Sequence, residues 1–506
     1  MRRTKKTVEG ALSSSQSQQP PGNPVAWQIP PARSHGNAWR SRIAERWVLW
    51  LAVAFFAGMA FPFLRRGDGS EWQTCYVRAG RRMMEGDAIH HSEPNAYAYP
   101  PLMAMCAAPF SRVSPRMSLT LWYAINVVAM VVVVESAWRM TGGPALVGLQ
   151  GRWAAVFGLA TLLSFRFLAA PLENQQSDVV IAALLFVGCR RLWAGRDFAA
   201  AIWLGVAAAM KCTPLLFAPY LAWRGKFKSA CLLVLVAVAL NRLPDYVFPK
   251  ADGAFRQEQG GTYLADWMST FLIRVGRDAP GAWESDLVLN QSLSGLANRV
   301  AQAGVPLSTA DIPTSQAVLS SATMRSIRMA VYGACLALAG VTAWRLGRPG
   351  RPLPPVEPVA GGPSLAQGEL VAPYGRNPGV SKVPERRTID VQDLSWEDLR
   401  SPVEAAIVMC VMLLLSPMSS KAHYVVLVLP VVLYARDVVE GRRAWLRWLL
   451  VPLIILGPLT SKGLTGKLVG DLTLCWGFPT EFVLILLLAM WVLITPALQP
   501  RDDSTY

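Results

Sequence analysis

Acids, amides and cations recur at the ends of long apolar runs in this chain. The first set lies in 71–101, directly after the first apolar run. It carries acid (Glu71, Glu85, Asp87), base (Arg78, Arg81, Arg82), adjacent histidines (His90, His91) and the tyrosine-proline stretch 97–101, which contains Tyr99. Further on, Glu173-Asn174-Gln175-Gln176 precedes an apolar run and Lys211 interrupts another. Asn290-Gln291-Ser292 sits in a long polar connection, and Ser416-Pro417 leads through Lys421 to His423. Each has a plain structural explanation: a helix cap for 173–176, a snorkelling side chain for Lys211 and an interfacial position for His423. For 290–292 it is a turn, set aside as a glycosylation signal. Polar groups at membrane depth are costly, however, and normally line a cavity or pathway. An acid, amide and cation set gathered on one side of a membrane therefore reads as one site.

That reading requires a membrane. Hydrophobic residues make up 53% of the chain and charged residues 16%, against roughly 25% charge in soluble domains. The apolar runs are long enough to cross ~30 Å of hydrocarbon as helices and lack the period-2 alternation of barrel strands. The expectation is an all-α polytopic membrane protein. The net charge of +16 sits at the ends of apolar runs, which is the mark of topology and not of nucleic-acid binding. Eight scattered cysteines without a CxxC, and four histidines without metal spacing, offer no metal or redox motif; a Cys75–Cys475 disulfide stays open.

Residues 1–45 are polar and rich in Ser, Gln and Pro, and read as a disordered cytoplasmic tail. The first span is 46–64, a retained anchor. Further runs follow at 99–113, 118–138, 151–170, 177–193, 198–223, 229–244, 326–345, 403–417, 422–436, 444–460 and 481–497, about ten to twelve transmembrane or re-entrant helices. Connections 139–152, 190–196, 224–228, 345–400 and 436–447 are richest in Arg and Lys, which places them in the cytoplasm. Run 99–113 is then expected to dip in and return. Run 198–223, broken by Lys211 and Pro214, is expected to be a hairpin of two short helices. Loops 65–98 and 245–325 face outward, and 71–85 reads as an amphipathic helix on the membrane surface. Residues 46–345 form the main membrane module, 346–400 a cytoplasmic linker, 401–500 the C-terminal membrane helices and 501–506 a cytoplasmic tail. Every polar set above falls outside.

The sequence resembles the integral-membrane C-class glycosyltransferases, and most nearly glycosyltransferase family 87, the polyprenyl-phosphate-mannose-dependent mannosyltransferases. The resemblance rests on Tyr76-Val77-Arg78-Ala79-Gly80 with Tyr99-Pro100-Pro101-Leu102, on Asn174-Gln175-Gln176, on Lys211-Cys212-Thr213-Pro214-Leu215, and on Ser416-Pro417-Met418-Ser419 with His423-Tyr424. The family has Asp where this chain has Glu71, and Trp or Arg soon after the second Ser, where this chain reads Ser420-Lys421. The resemblance implies a bundle with an extracytoplasmic site in a bacterial-type plasma membrane. It implies a polyprenyl-phosphate sugar as donor, an acceptor hydroxyl of unknown identity and no cofactor. Glu71 is then the expected base. Lys211, Lys421 and His423 are expected phosphate partners, and Arg78, Tyr99, Asn174, Gln175, Asn290 and Gln291 further substrate contacts. The rival class is a transporter or flippase of lipid-linked sugars, which would show paired broken helices; only one is visible.

Overall fold

The structure is a computed structural model that describes residues 46–90, 97–251, 261–273, 288–303, 321–345 and 398–494. All regular structure among them is helical. Five stretches are long and apolar enough to cross a membrane: Trp47–Arg65 (α1), Pro115–Met140 (α4), Gly151–Asn174 (α5), Phe227–Val247 (α9) and Lys421–Glu440. The pair Ala444–Thr460 and Lys462–Cys475, bent by 96°, makes a sixth if it is one span. The other apolar runs form shorter helices packed among these: Asp178–Trp193 (α6), Asp197–Met210 (α7), Phe217–Trp223 (α8), Arg400–Leu415 (α13) and Phe478–Ile494 (α17). Stretch Lys421–Glu440 is a 3-10 turn, Lys421–Leu427, leading into Val428–Glu440 (α14). It is the most enclosed, whereas α1 turns Leu49, Trp50 and Phe61 outward. An apolar helix that exposes such side chains is in its proper solvent in lipid.

Close helix packing uses small residues. Gly205 of α7 faces α9 so tightly that an added Cβ would lie 2.8 Å from the Leu233 carbonyl oxygen; with no driving force between apolar helices in lipid, such close approach supplies the packing.

Run 198–223 is a hairpin. Helix α7 runs parallel to α9, with Gly205 at Leu233 and Val236, and the Ala209 carbonyl accepting from Asn241 Nδ2 at 3.0 Å. Helix α8 runs back into the tight turn before α9, and Lys226 there pairs with Asp197 at the start of α7, 2.6 Å. Both arms therefore begin and end together, leaving Lys211 and the 3-10 turn Thr213–Leu216 at the tip. Run 99–113 is likewise two short helical pieces, Pro101–Ala107 (α3) and a 3-10 turn, Ala108–Arg112.

Two expectations are corrected. Segment 71–85 keeps the expected one-sided pattern, with Arg81 and Glu85 exposed, but does not lie on a membrane surface as one α-helix: it starts as a π-helix, Trp72–Val77, continues as Arg78–Glu85 (α2), and packs its apolar face into protein. Trp72, Tyr76, Ala79 and Met83 are buried, and Gly80 abuts the backbone of Ala108. The region after 460, expected as a loop, carries helix Lys462–Cys475 (α16), kinked at Gly466. Cys75 and Cys475 are both buried free thiols.

The Arg/Lys-rich connections bind one another. Glu404 receives Tyr220 Oη (2.9 Å), Arg224 Nη1 (3.0 Å to Oε2) and Arg400 Nε (3.1 Å). Arg436 donates to the Thr141 carbonyl, 2.7 Å, and the Trp193 indole to the Asp398 carbonyl. The tail 1–45, the stretch 346–397 and the segment 495–506, with the fates assigned to them above, lie outside the described residues, as does His91.

Candidate active site

The π-helix sets the position of Glu71. Trp72 stacks on Trp122 of α4, centroids 3.8 Å apart, and its indole donates to Ser118 Oγ at 2.9 Å. In an α-helix, residues five apart lie on opposed faces. In a π-helix, with its i to i+5 hydrogen bonds, they return to nearly the same face. Glu71 and Tyr76 are five apart, and both meet the start of α6. Gln176 Nε2 donates to both carboxylate oxygens of Glu71, 3.1 Å each, and Ser177 Oγ lies 3.4 Å from Tyr76 Oη.

Burial pushes the Glu71 carboxyl up, from 4.5 to about 7. The hydrogen bond from Gln176 opposes that rise, Asp178 adds to it, and Lys211 and Arg66 offset it. Glu71 lies beyond the end of the first span, Trp47–Arg65.

The next residue along α6 is the centre of a charged set. Asp178 Oδ1 accepts from Lys211 Nζ at 2.7 Å and lies 3.6 Å from His423 Nε2. Helices α6 and α7 are antiparallel neighbours joined by a short turn, so the start of one and the tip of the other share an end. Lys211 is in extended conformation at the end of α7, and its ammonium also sits over the Tyr99 ring, 5.3 Å from the centroid. Tyr99 in turn packs against Tyr76, 5.0 Å between centroids. His423 is fixed by its helix: its Nδ1 accepts from the Ser420 backbone N–H at 2.5 Å, completing a capping box. In that geometry the ring proton sits on Nε2, on the side of Asp178. Asp178, Lys211, Thr213, Ser416, Ser419 and His423 line one cleft, whose floor is apolar. Among the described residues, no group of three or more His, Cys, Asp or Glu could hold a metal ion.

The other expected contacts are distributed differently. Lys421 does not join the cleft: its Nζ donates to the Thr460 carbonyl, 2.9 Å, beside the Arg166–Glu173 and Lys462–Asp471 pairs. A 3-10 turn carries residues 421 and 423 to different sides. Asn290 and Gln291 are wholly buried, and neither lines the cleft. Asn290 Nδ2 donates to the Pro417 carbonyl (3.0 Å) and Gln291 Nε2 to the Leu474 carbonyl (2.9 Å), while Tyr424 and Thr480 hydroxyls donate to the Gln291 carbonyl. They latch the Ser416–Ser420 turn in place. The triplet 290–292 does fit the Asn-x-Ser pattern, and burial closes it to modification. Gln175, at φ 56°, is a corner residue whose amide donates to the Phe63 carbonyl and whose own carbonyl accepts from Trp122; its neighbour Gln176 is the one that meets Glu71. Asn174 and Arg78 are half-buried and lie outside the cleft lining.

Asp178 was missed. In sequence it is an acid in the first turn of a helix, which the helix dipole alone favours. Only its distance to Lys211, 33 residues on, distinguishes it.

The chain is similar to known proteins. The model of glycosyltransferase family 87 matches residues 97–357. The chain is also 28% identical over 148 residues to a polyprenol-phosphate-mannose-dependent alpha-(1-2)-phosphatidylinositol pentamannoside mannosyltransferase of Mycobacterium tuberculosis (strain CDC 1551 / Oshkosh). That stretch is 29% of this chain and 32% of the relative, so the chain matches about a third of the relative's length. No solved structure matches the chain.

Proposed function

Because this chain belongs to glycosyltransferase family 87, we propose that it transfers a hexosyl group, mannose, from a polyprenyl-phosphate donor to an acceptor hydroxyl on the extracytoplasmic face of a plasma membrane. The observation that supports this reading best is the pairing of a carboxyl raised toward neutrality with a separate set of nitrogen donors in one neighbourhood: Glu71 against Gln176, and Lys211 with His423 about Asp178. The donor in the matching relative's name supports the choice of lipid and sugar.

The acceptor oxygen attacks the anomeric carbon and its proton passes to ionised Glu71. The bond from that carbon to the phosphate oxygen breaks, and its electron pair stays on the phosphate. Lys211 Nζ–H and His423 Nε2–H are the donors available to the charge that develops there. A pKa near 7 suits the base: it is ionised in a usable fraction and still basic enough to accept the proton.

The test is an assay with radiolabelled polyprenyl-phosphate mannose and host membranes. Label moves to a membrane acceptor with the wild-type protein and stays on the donor with Glu71→Gln. Label that crosses the bilayer without changing its carrier sinks the reading in favour of transport. For the side, single cysteines at Gly69 and Arg442, both exposed, are probed in a cysteine-free background. An impermeant thiol reagent on intact cells labels position 69 and spares 442.

A further inference from the structure

We propose that Asp178 is a positioning residue that sets the charge preference of the phosphate site, so that the cleft holds a singly charged phosphodiester and releases a doubly charged phosphomonoester. This rests on the transferase reading above and concerns what happens after transfer.

The chemistry creates the problem. The donor phosphate is a diester with one negative charge. Once the sugar has left, it is a monoester whose second ionisation lies near 6, so it carries nearly two charges above neutrality. A site built only of cations binds the product more tightly than the substrate and stalls. The cleft is not built that way. Its ammonium, Lys211, is already engaged by Asp178 at 2.7 Å. Its imidazole presents a single donor, Nε2–H, because Nδ1 is taken by the Ser420 N–H, and that donor also faces Asp178 Oδ1, 3.6 Å away. The second oxygen, Asp178 Oδ2, is buried without a hydrogen-bond partner, and Lys211 and His423 are the side chains that face the carboxylate. Lys211 and His423 are thus the nitrogen donors that the cleft offers a phosphate, beside the Thr213 hydroxyl, and both are oriented by a fixed anion that any phosphate must lie beside. One added charge on the ligand meets attraction from Lys211 and repulsion from Asp178 together. A merely structural Asp178, capping α6 and neutralising Lys211, gives stability without that selectivity.

The measurement is direct binding to the purified full-length protein at pH 8 with no acceptor present. The two probes are citronellyl phosphate, a dianion, and mannosyl citronellyl phosphate, a monoanion. Asp178→Asn is expected to raise the affinity for the monoester relative to the diester by about tenfold, the scale of one unit-charge interaction across a few ångströms of partly screened protein. In turnover the same variant shows stronger product inhibition by citronellyl phosphate, with the KM for the diester changed less. Lys211→Met shifts the ratio the other way, and the double variant returns it toward wild type. If Asp178→Asn does not fold, the comparison of Lys211→Met with the double variant isolates the carboxylate without stranding an ammonium. A folded Asp178→Asn protein whose monoester-to-diester ratio stays within about twofold of wild type overturns the proposal, on the same charge scale. A wild-type protein that binds neither probe overturns the phosphate reading of the cleft and this inference with it. Binding of both with an unmoved ratio removes the inference alone.

Discussion

Two glutamates at different ends of the helices, Glu404 and Glu71, are both removed from water, and their partners differ. Glu404 holds three donors, a tyrosine hydroxyl and two guanidinium groups, spread over both carboxylate oxygens. Glu71 holds one neutral amide, shared between its oxygens. Charged partners in good geometry tie segments together; here they join α8, α13 and the turn after α8. A lone amide does not offset burial, and Glu71 is pushed up to about 7. The same side chain thus serves as a fastener where its charge is matched and as a proton acceptor where it is not. A charge left incompletely matched inside a protein marks a site of chemistry better than a charge that is merely buried.

The largest effect that sharpens this contrast is on turnover. Glu71→Gln is expected to lower transfer by about 10²–10⁴-fold, the usual contribution of a positioned acid or base, with donor binding kept; Glu71→Asp recovers part of it. A Gln variant with most of its activity breaks the comparison. Next comes stability. Glu404→Gln takes away the carboxylate charge that Arg224 and Arg400 share, and its apparent loss is on the order of 2–4 kcal/mol. Thermal unfolding in detergent reads this, while turnover per folded molecule stays near wild type.

Smaller effects follow on donor use. Lys211→Ala and His423→Ala each raise the donor requirement by on the order of 1.5–3 kcal/mol, the worth of a hydrogen bond to a charged group. Lys421→Ala leaves it unchanged, since its ammonium is on the Thr460 carbonyl. Donor kinetics of the three variants side by side check the assignment. The smallest effect is a shift in pH dependence. Activity rises with pH as Glu71 ionises, with a midpoint near 7. Gln176→Leu removes the hydrogen bond that favours the ionised form and moves the midpoint higher. Stability runs the opposite way. A carboxyl whose folded pKa is raised contributes fully below its ordinary value of 4.5 and loses that contribution as pH climbs through about 7. The wild-type protein therefore loses stability relative to Glu71→Gln across that window.

Much of the fold was legible because lipid imposes long apolar runs and charge marks their ends. The hairpin at Lys211 followed from one lysine and one proline in an apolar stretch. The site was legible in part, and the misses have physical causes. Gln175 and Gln176 are chemically alike, and only the left-handed turn at Gln175 decides which amide meets Glu71. Lys421 and His423 are two apart, and a 3-10 turn separates them where other geometries differ. Asn290 and Gln291 looked like ligand contacts because buried amides and binding amides have the same composition; their partners proved to be backbone carbonyls. Helix α16 escaped because three glycines, two lysines and an aspartate mask its apolar content.

The π-helix ahead of α2 has a consequence for how this site can be inherited. Its extra residue per turn is what lets Glu71 and Tyr76 meet the same neighbours. Substituting any one residue of 72–77 leaves that register standing, whereas removing one lets the segment relax into an ordinary α-helix and swings Glu71 away from Gln176. A deletion between the acid and the tyrosine is therefore expected to cost the site more than a substitution there, and comparing the two kinds of variant for turnover checks it.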